Sequence, residues 1–396
     1  MPKQQTSPSR VWFADIRARA PGENKVAKIA ALFKAAGFAK LVEKGDLTAV
    51  KLHFGEPGND TFLSPVFARK IVELLKAAGA NPFLTDTNTL YGGGRHNAVD
   101  HLNSAAAHGF TPATVNAPVI IADGLRGTSF RKVTINKKHF KTVSIADAIL
   151  DARAMLVLSH FKGHMMGGFG GAIKNLAMGC APSRGKCDQH ASRFFIETEK
   201  CTACGRCVAA CPEKAISWAA KDEAKGEAKG KKNKTAHIDV KKCVGCGECL
   251  TLCRYGAVSM DWKAEMGPFN ERMAEYAYGA VKDKAGKVGY MNFLINITPD
   301  CDCAGWSDAP MVPDIGILAS HDPVALDKAC FDMVNARQGF ADSQLQCNHE
   351  PGADKFKGAW SYTTGEVQLN HAQAVGLGTA DYELVDVSPK GEPGMH

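Results

Sequence analysis

The sequence predicts an α/β protein whose mainly parallel sheet is flanked by helices and carries an inserted small α+β unit rich in cysteine. Three observations predict this. Apolar β-type runs alternate with helical patterns on both sides of the chain's middle, the signature of strand–helix–strand units. A four-cysteine run occurs twice in that middle. Polar clusters recur just past the strand-like runs, where open α/β sheets bind ligands. The strands are expected at Val11–Ile16, Leu47–Leu52, Asn81–Thr85, Pro118–Ile121, Ala154–Leu158, Gly289–Ile297 and Asp314–Leu318. Helices are expected at Lys25–Ala36, Pro65–Ala78, Ala98–His108, Gly171–Gly179, Asn270–Lys282 and Pro323–Ala336. In Pro65–Ala78, Val66, Phe67, Ile71, Leu74, Leu75 and Ala78 recur at helical spacing, and Gly79 follows as a stop. Residues 1–194 and 263–396 then read as one discontinuous α/β domain, and 195–262 as the insertion; two separate α/β domains are the alternative.

Composition bounds the function. The 396 residues are 45% hydrophobic and 22% charged, enough apolar mass for a large core and too much for a chain disordered throughout. No run of about 18 apolar residues exists, so no membrane-spanning helix is expected. Met1–Arg10 is polar and Val11–Ile16 is too short for a signal-peptide core, which predicts a cytoplasmic protein. The net charge of +7 is partly local: Lys221–Lys234 holds six lysines against three acids. That stretch reads as a solvated spacer, or as a docking patch for an acidic redox partner. It lacks interleaved aromatics, so nucleic acid is not expected as a partner.

The middle of the chain repeats itself. CTACGRCVAACPEKAISW (Cys201–Trp218) aligns without gaps on CVGCGECLTLCRYGAVSM (Cys243–Met260), 42 residues later. Each copy has the C-x2-C-x2-C-x3-C spacing, in which three close thiolates cap one iron–sulfur cube and the fourth reaches the other cube. Cys201, Cys204, Cys207 and Cys253 are therefore assigned to one [4Fe-4S] cluster, and Cys243, Cys246, Cys249 and Cys211 to a second. Pro212 follows the first run as expected, whereas Arg254 stands in that place in the second. A zinc site would more often use two separated C-x2-C pairs.

The polar clusters are Lys51, His53 and Glu56; Asp86, Asn88, Tyr91 and Arg95; Asp123 and Arg126; and His160, Lys162 and His164. Each follows an expected strand, so all can converge on one cleft. His53, His160 and His164 are candidate acid–base groups or metal ligands, because imidazole changes charge near neutral pH. Two glycine-rich turns precede helices. One is Gly92–Gly94 with Arg95. The other runs from Gly167 through Gly168 and Gly170 to Gly171, ahead of Lys174 and Asn175. Such turns let backbone N–H groups approach an anion, with Arg95 and Lys174 adding charge, so a phosphate or carboxylate ligand fits. Neither completes a nucleotide-binding fingerprint. Tight turns chosen for backbone conformation are the plainer explanation. Of the remaining cysteines, Cys180, Cys187, Cys301 and Cys303 are enough for a third metal site, while Cys330 and Cys347 read as buried thiols.

Taken together, KLHFGE, DTNTLYGGGR, SHFKGHMMGGFGGAIKNLAMGC, CDC and SHDPVALDKA around the cysteine repeat resemble the iron–sulfur proteins of the domain-of-unknown-function family 362. Residues 195–262 resemble the bacterial two-cluster ferredoxin domain. These resemblances imply two [4Fe-4S] clusters, a low-potential relay and an anaerobic setting. Gly167–Ala181 is also similar to the glycine–lysine segment of lactate racemases, where Lys174 matches the lysine that attaches the nickel-pincer cofactor. Gly170 and Met178 stand where that pattern favours serine and proline. The expected function is electron transfer coupled to a redox reaction on an anionic small molecule, with His53, His160, His164 and Lys174 as catalytic candidates. Arg95, Gly168, Gly170, Lys174 and Asn175 are candidates for holding the ligand. The alternatives are a ferredoxin-like carrier that docks a redox partner protein, and a non-redox isomerase or racemase with a cofactor near Lys174.

Overall fold

A computed structural model describes residues 7–191, 193–211, 213–220, 234–243, 248–261 and 265–388. Its centre is an eight-stranded sheet. In chain order the strands are β1 (Ser9–Asp15), β2 (Leu47–Lys51), β3 (Asn81–Asp86), β4 (Val119–Ile121), β5 (Ala154–His160), β6 (Val288–Leu294), β7 (Gly316–Ser320) and β8 (Tyr382–Asp386). Their spatial order is β8-β1-β7-β6-β5-β2-β3-β4. Only β7 runs against its neighbours; the other five pairings are parallel.

The sheet is covered on both faces, which is why its strands are near-continuous apolar runs. Alternation still divides them. Ala154, Leu156 and Leu158 of β5 face one core, and Met155 and Val157 face the other. The first core is completed by helices α1 (Lys25–Ala35) and α2 (Pro65–Ala77), through Ile29, Leu32, Ile71 and Leu75. The second is completed by α4 (Ala172–Gly179), α5 (Met266–Val281) and α6 (Pro323–Asn335). A further helix, α3 (Ala98–Ala107), follows the first glycine turn. The helix starts are specified locally: Asn24, Ser64 and Asp322 each accept backbone N–H groups of the first turn. Gly79, at φ +96°, ends the α2 segment in a conformation that side chains disfavour.

All seven expected strands and all six expected helices are present, with ends displaced by a few residues. Besides short helices such as Ser183–His190 and Glu366–Ala374, three strand features lack a counterpart in the sequence reading. The edge strand β8 is five residues of YELVD and buries little. Phe130–Thr134 and Thr142–Ala146 form a separate hairpin. Lys162–His164 and Gly168–Gly170 form another, so the second glycine turn begins as a strand. Cys330 is buried as expected, but Cys347 is exposed in the loop before Lys355 and is not a core thiol. Among the described residues no helix is long and apolar enough to cross a membrane.

The cysteine repeat folds as two halves that exchange strands. Arg193–Ile196 pairs with Val258–Asp261, and Ile216–Ala220 pairs with Lys234–Ile238, both antiparallel. The halves share matched hydrogen bonds and backbone conformations across the 42-residue offset. Glu197 N–H donates to Ala257 C=O and Asp239 N–H to Ala215 C=O. Ala215 N–H donates to Cys211 Sγ and Ala257 N–H to Cys253 Sγ, both at 3.2 Å. Lys214 and Gly256 share a positive φ. Cys201, Cys207, Cys211, Cys243, Cys249 and Cys253 gather around one small core with Phe194, Ile216, Ile238 and Val258. Pro212, Cys246 and Lys221–Lys232 lie outside the described residues.

The N-terminus of α4 is occupied from within. Asp327 of α6 accepts the N–H groups of Ala172 and Ile173 at 2.8 and 2.9 Å, and a Cβ on Gly171 would collide with this carboxylate. Asn292 of β6 donates to the same carboxylate at 2.6 Å. Removing it in Asp327→Ala strands buried donors and is expected to cost about 1–3 kcal/mol, read as a lowered midpoint in denaturant unfolding with an unchanged slope.

Candidate functional site

The parallel strands β2, β3, β5 and β6 all end on one side of the sheet, and their following loops enclose a cavity of about 470 Å³. Lys51, Asp86 and His160 are the last residues of β2, β3 and β5; His53 and Glu56 follow β2, Tyr91 and Arg95 follow β3, Lys162 and His164 follow β5, and Cys301–Cys303 follow β6. Helix α4 adds Lys174 and Asn175. The convergence expected from placement after strands is therefore what the structure has. Asn88, Asp123 and Arg126 are the exceptions: Asp123 lies behind the wall, where it accepts from the Asn88 backbone and side chain, and Arg126 is exposed outside the lining.

The charges in this wall are largely paired. Lys51 Nζ is 2.9 Å from Asp86 Oδ1 and donates to Asn175 Oδ1 at 2.6 Å. Arg95 Nε is 2.7 Å from Glu56 Oε2, and its Nη2 donates to the Tyr91 hydroxyl. Gly94 N–H donates to Glu56 Oε1 at 2.7 Å, and a side chain on Gly93 would strike the same carboxylate. The first glycine turn and Arg95 thus grip an anion, and that anion is Glu56. The second turn likewise receives Asp327. Gly168, at φ +78°, packs against the Gly365 backbone and does not line the cavity, whereas Gly170 does, beside Lys174. Asn175 donates to Leu158 C=O and to Ser159 Oγ, so its place is to orient Lys51.

The loop after β6 is fastened by one residue that the sequence reading passed over, Asp302. Its carboxylate is 2.9 Å from His160 Nδ1 and 2.9 Å from Lys162 Nζ. Burial alone would raise the Asp302 carboxyl, but His160 and Lys162 outweigh it and hold it well below the usual carboxylate range. The other His160 nitrogen meets the carbonyls of Ile295 and Asn296, so both ring nitrogens are engaged. Glu56 N–H donates to Asp302 C=O, and the Tyr91 hydroxyl donates to Cys303 C=O. The only sequence cue to Asp302 is its place between two cysteines.

This fastening places Cys301 and Cys303 beside Lys174. Lys174 Nζ is 2.8 Å from Cys301 Sγ and 4.0 Å from Cys303 Sγ. The hydrogen bond from Cys303 and the nearby ammonium outweigh burial and bring the Cys301 thiol well below its ordinary value. The bond to Cys301, together with burial, pushes Cys303 well above it. Burial alone would pull Lys174 down, and the two sulfurs reverse this. His164 completes the group, with donor atoms of all three residues within 4.8 Å of one another, a set able to take a soft metal ion. Cys180 and Cys187 do not join it: Cys180 is buried in the large core and Cys187 lies against the cysteine repeat. His164 Nδ1 accepts the N–H groups of Met166 and Gly167, and His53 Nδ1 that of Gly55, which leaves Nε2 of each ring free of these contacts. Burial lowers both rings' proton affinity, reinforced by Arg95 at His53 and by Lys174 at His164.

Residues 48–332 match the family described as domain of unknown function (DUF362), a span that includes the cavity loops and the cysteine repeat. The chain belongs to that family. No curated protein matches the chain. Among solved structures, the lactate racemase apoprotein from Thermoanaerobacterium thermosaccharolyticum is similar at 12% identity and a TM-score of 0.35, over 74% of this chain and 52% of that one. This DUF362 chain therefore spans about half the length of that protein.

The Glu56–Arg95 pair tests how the DUF362 cavity wall is held. Glu56→Ala leaves a buried guanidinium without its closest partner and is expected to cost about 3 kcal/mol. Adding Arg95→Met removes the stranded charge, so the double variant should be more stable than Glu56→Ala alone in thermal unfolding.

Proposed function

We propose that this protein binds two [4Fe-4S] clusters in its cysteine repeat and transfers electrons at low potential to an anionic small molecule in the α/β cavity. One observation carries the reading: the cysteine core and the cavity share a wall. Leu90 packs into the small core with the cysteines and also lines the cavity. Cys187 packs into the same core, next to Lys186 of the lining.

The residues present suit the clusters. Thiolates are the ligands that iron–sulfur centres require, and N–H groups donated to ligand sulfur are among the features that set potential. The matched bonds at Cys211 and Cys253 supply such groups in both halves. Cys201, Cys204, Cys207 and Cys253 would hold one cluster, and Cys243, Cys246, Cys249 and Cys211 the other. Bound clusters supply single electrons.

The cavity residues have separate tasks. Lys186 donates to the Thr87 hydroxyl and the Ala181 carbonyl, which fixes its ammonium at the cavity wall for a ligand carboxylate or phosphate. His53 is half-buried, held at Nδ1, and presents Nε2 as the atom that moves a proton. His160 positions the Cys301–Cys303 turn through Asp302.

Protein purified without oxygen is expected to carry about eight iron and eight sulfide per chain. Cys207→Ser should lose about half of each, because it removes a ligand of one cube. Iron below about four per chain in the wild type would sink the proposal. Reduced protein mixed with small carboxylates or phosphates that carry a reducible group should reoxidise, and Lys186→Met should raise the anion concentration this needs. Reoxidation by a protein partner alone would favour the carrier reading.

A further inference from the structure

We infer that Cys301 and Cys303 form a redox-active dithiol in the cavity, which reduces sulfur electrophiles of the disulfide class and cycles between a dithiol and an intramolecular disulfide. The inference extends the electron-transfer reading by naming where two single electrons become one two-electron step.

Four observations carry it. The two sulfurs lie in one tight turn, closed by the Ala304 N–H to Cys301 C=O bond at 2.9 Å, and are within 4.8 Å of each other. The turn is rigid on its far side, where Asp302 is gripped by His160 and Lys162, so the thiols are presented together with little freedom. Lys174 supplies a half-buried positive charge 2.8 Å from Cys301 Sγ, the partner that a buried thiolate needs. Cys301 is buried while Cys303 is partly exposed, and both line the cavity. The same ammonium provides the charge compensation that a metal ion would bring.

The step balances without another reagent. The Cys301 thiolate attacks a small disulfide R–S–S–R; a Cys301–S–S–R bond forms and one RS⁻ leaves. The Cys303 thiol loses its proton to the departing thiolate and attacks the Cys301 sulfur, releasing the second RS⁻ and closing the Cys301–Cys303 disulfide. The substrate gains two electrons and the pair of cysteines loses two. Two single electrons and one proton then restore the Cys301 thiolate and the Cys303 thiol.

The test uses the full chain with its metal content intact, equilibrated in buffers of reduced and oxidised dithiothreitol, quenched by alkylation and read by peptide mass. Expected is a peptide holding Cys301 and Cys303 that becomes lighter by two hydrogens and unalkylated as the buffer is oxidised, and that recovers on reduction. Cys180→Ser should leave this transition unchanged, and Cys301→Ser or Cys303→Ser should abolish it. Lys174→Met should slow alkylation of Cys301 at neutral pH by about tenfold or more. Both thiols remaining alkylatable in every buffer of the wild type would overturn the inference, a result that does not depend on any variant folding. A stoichiometric metal ion released only by Cys301→Ser or Cys303→Ser would overturn it too. A second arm separates this inference from the cluster reading: a one-electron donor should reduce the disulfide in wild type but not in Cys207→Ser. A disulfide that cycles with dithiothreitol yet never takes electrons this way supports the dithiol and defeats the relay.

Discussion

The cavity depends on one buried carboxylate. Asp302 is an ion removed from water, and an ion so placed is tolerable only when charged partners and hydrogen bonds surround it. His160 and Lys162, delivered by the end of β5, meet that requirement. Because β5 and β6 are adjacent and parallel, their ends sit side by side, and the ion group ties the loop after one to the loop after the other. Everything on the near side of that turn inherits its position. The two sulfurs point at Lys174, Glu56 is drawn in by its backbone bond to Asp302, and Arg95 follows Glu56.

The two glycine turns show how ambiguous a good motif is. Small residues, a helix start and a nearby cation describe an anion site, and both turns do hold anions. The anions are Glu56 and Asp327, side chains of the protein itself. At Gly92–Gly94 one backbone N–H and the Arg95 guanidinium converge on a carboxylate from within the chain. What no local pattern contains is the distance in sequence between the cradle and what fills it. Asp327 lies more than 150 residues beyond Gly171.

Much of the fold was legible because its signals are local. A covered parallel sheet needs apolar strands, and runs such as AMLVL in β5 stand out without context. Edge strands carry less of that signal, and YELVD in β8, half polar and little buried, reads as loop until β1 is seen beside it. The candidate site was legible as a set of strand-end residues, and His53, Arg95, His160, His164, Lys174 and Asn175 do meet. Their roles were not legible. Whether His160 has a free nitrogen depends on Asp302 and two carbonyls more than 130 residues away, and only the packed structure brings these together. The duplicated cysteines were the strongest cue because the repeat can be read against itself. The structure repeats it down to single N–H···S bonds.

The pairing of β5 with β6 spans the cysteine repeat: residues 161–287 lie between the two strands in the chain. A ribosome making this chain therefore emits β1 to β5 well before the partner that β5 needs on its other side. Until β6 appears, one edge of β5 stays open, with Val157, Leu158 and Ser159 among its unpaired backbone groups. The growing chain must hold a hydrophobic strand edge through the synthesis of the entire cysteine-rich segment. Slow translation there would lengthen the time this edge is exposed to other chains, so the speed at which the cysteine-rich segment is made bears on how much of the protein reaches its native sheet.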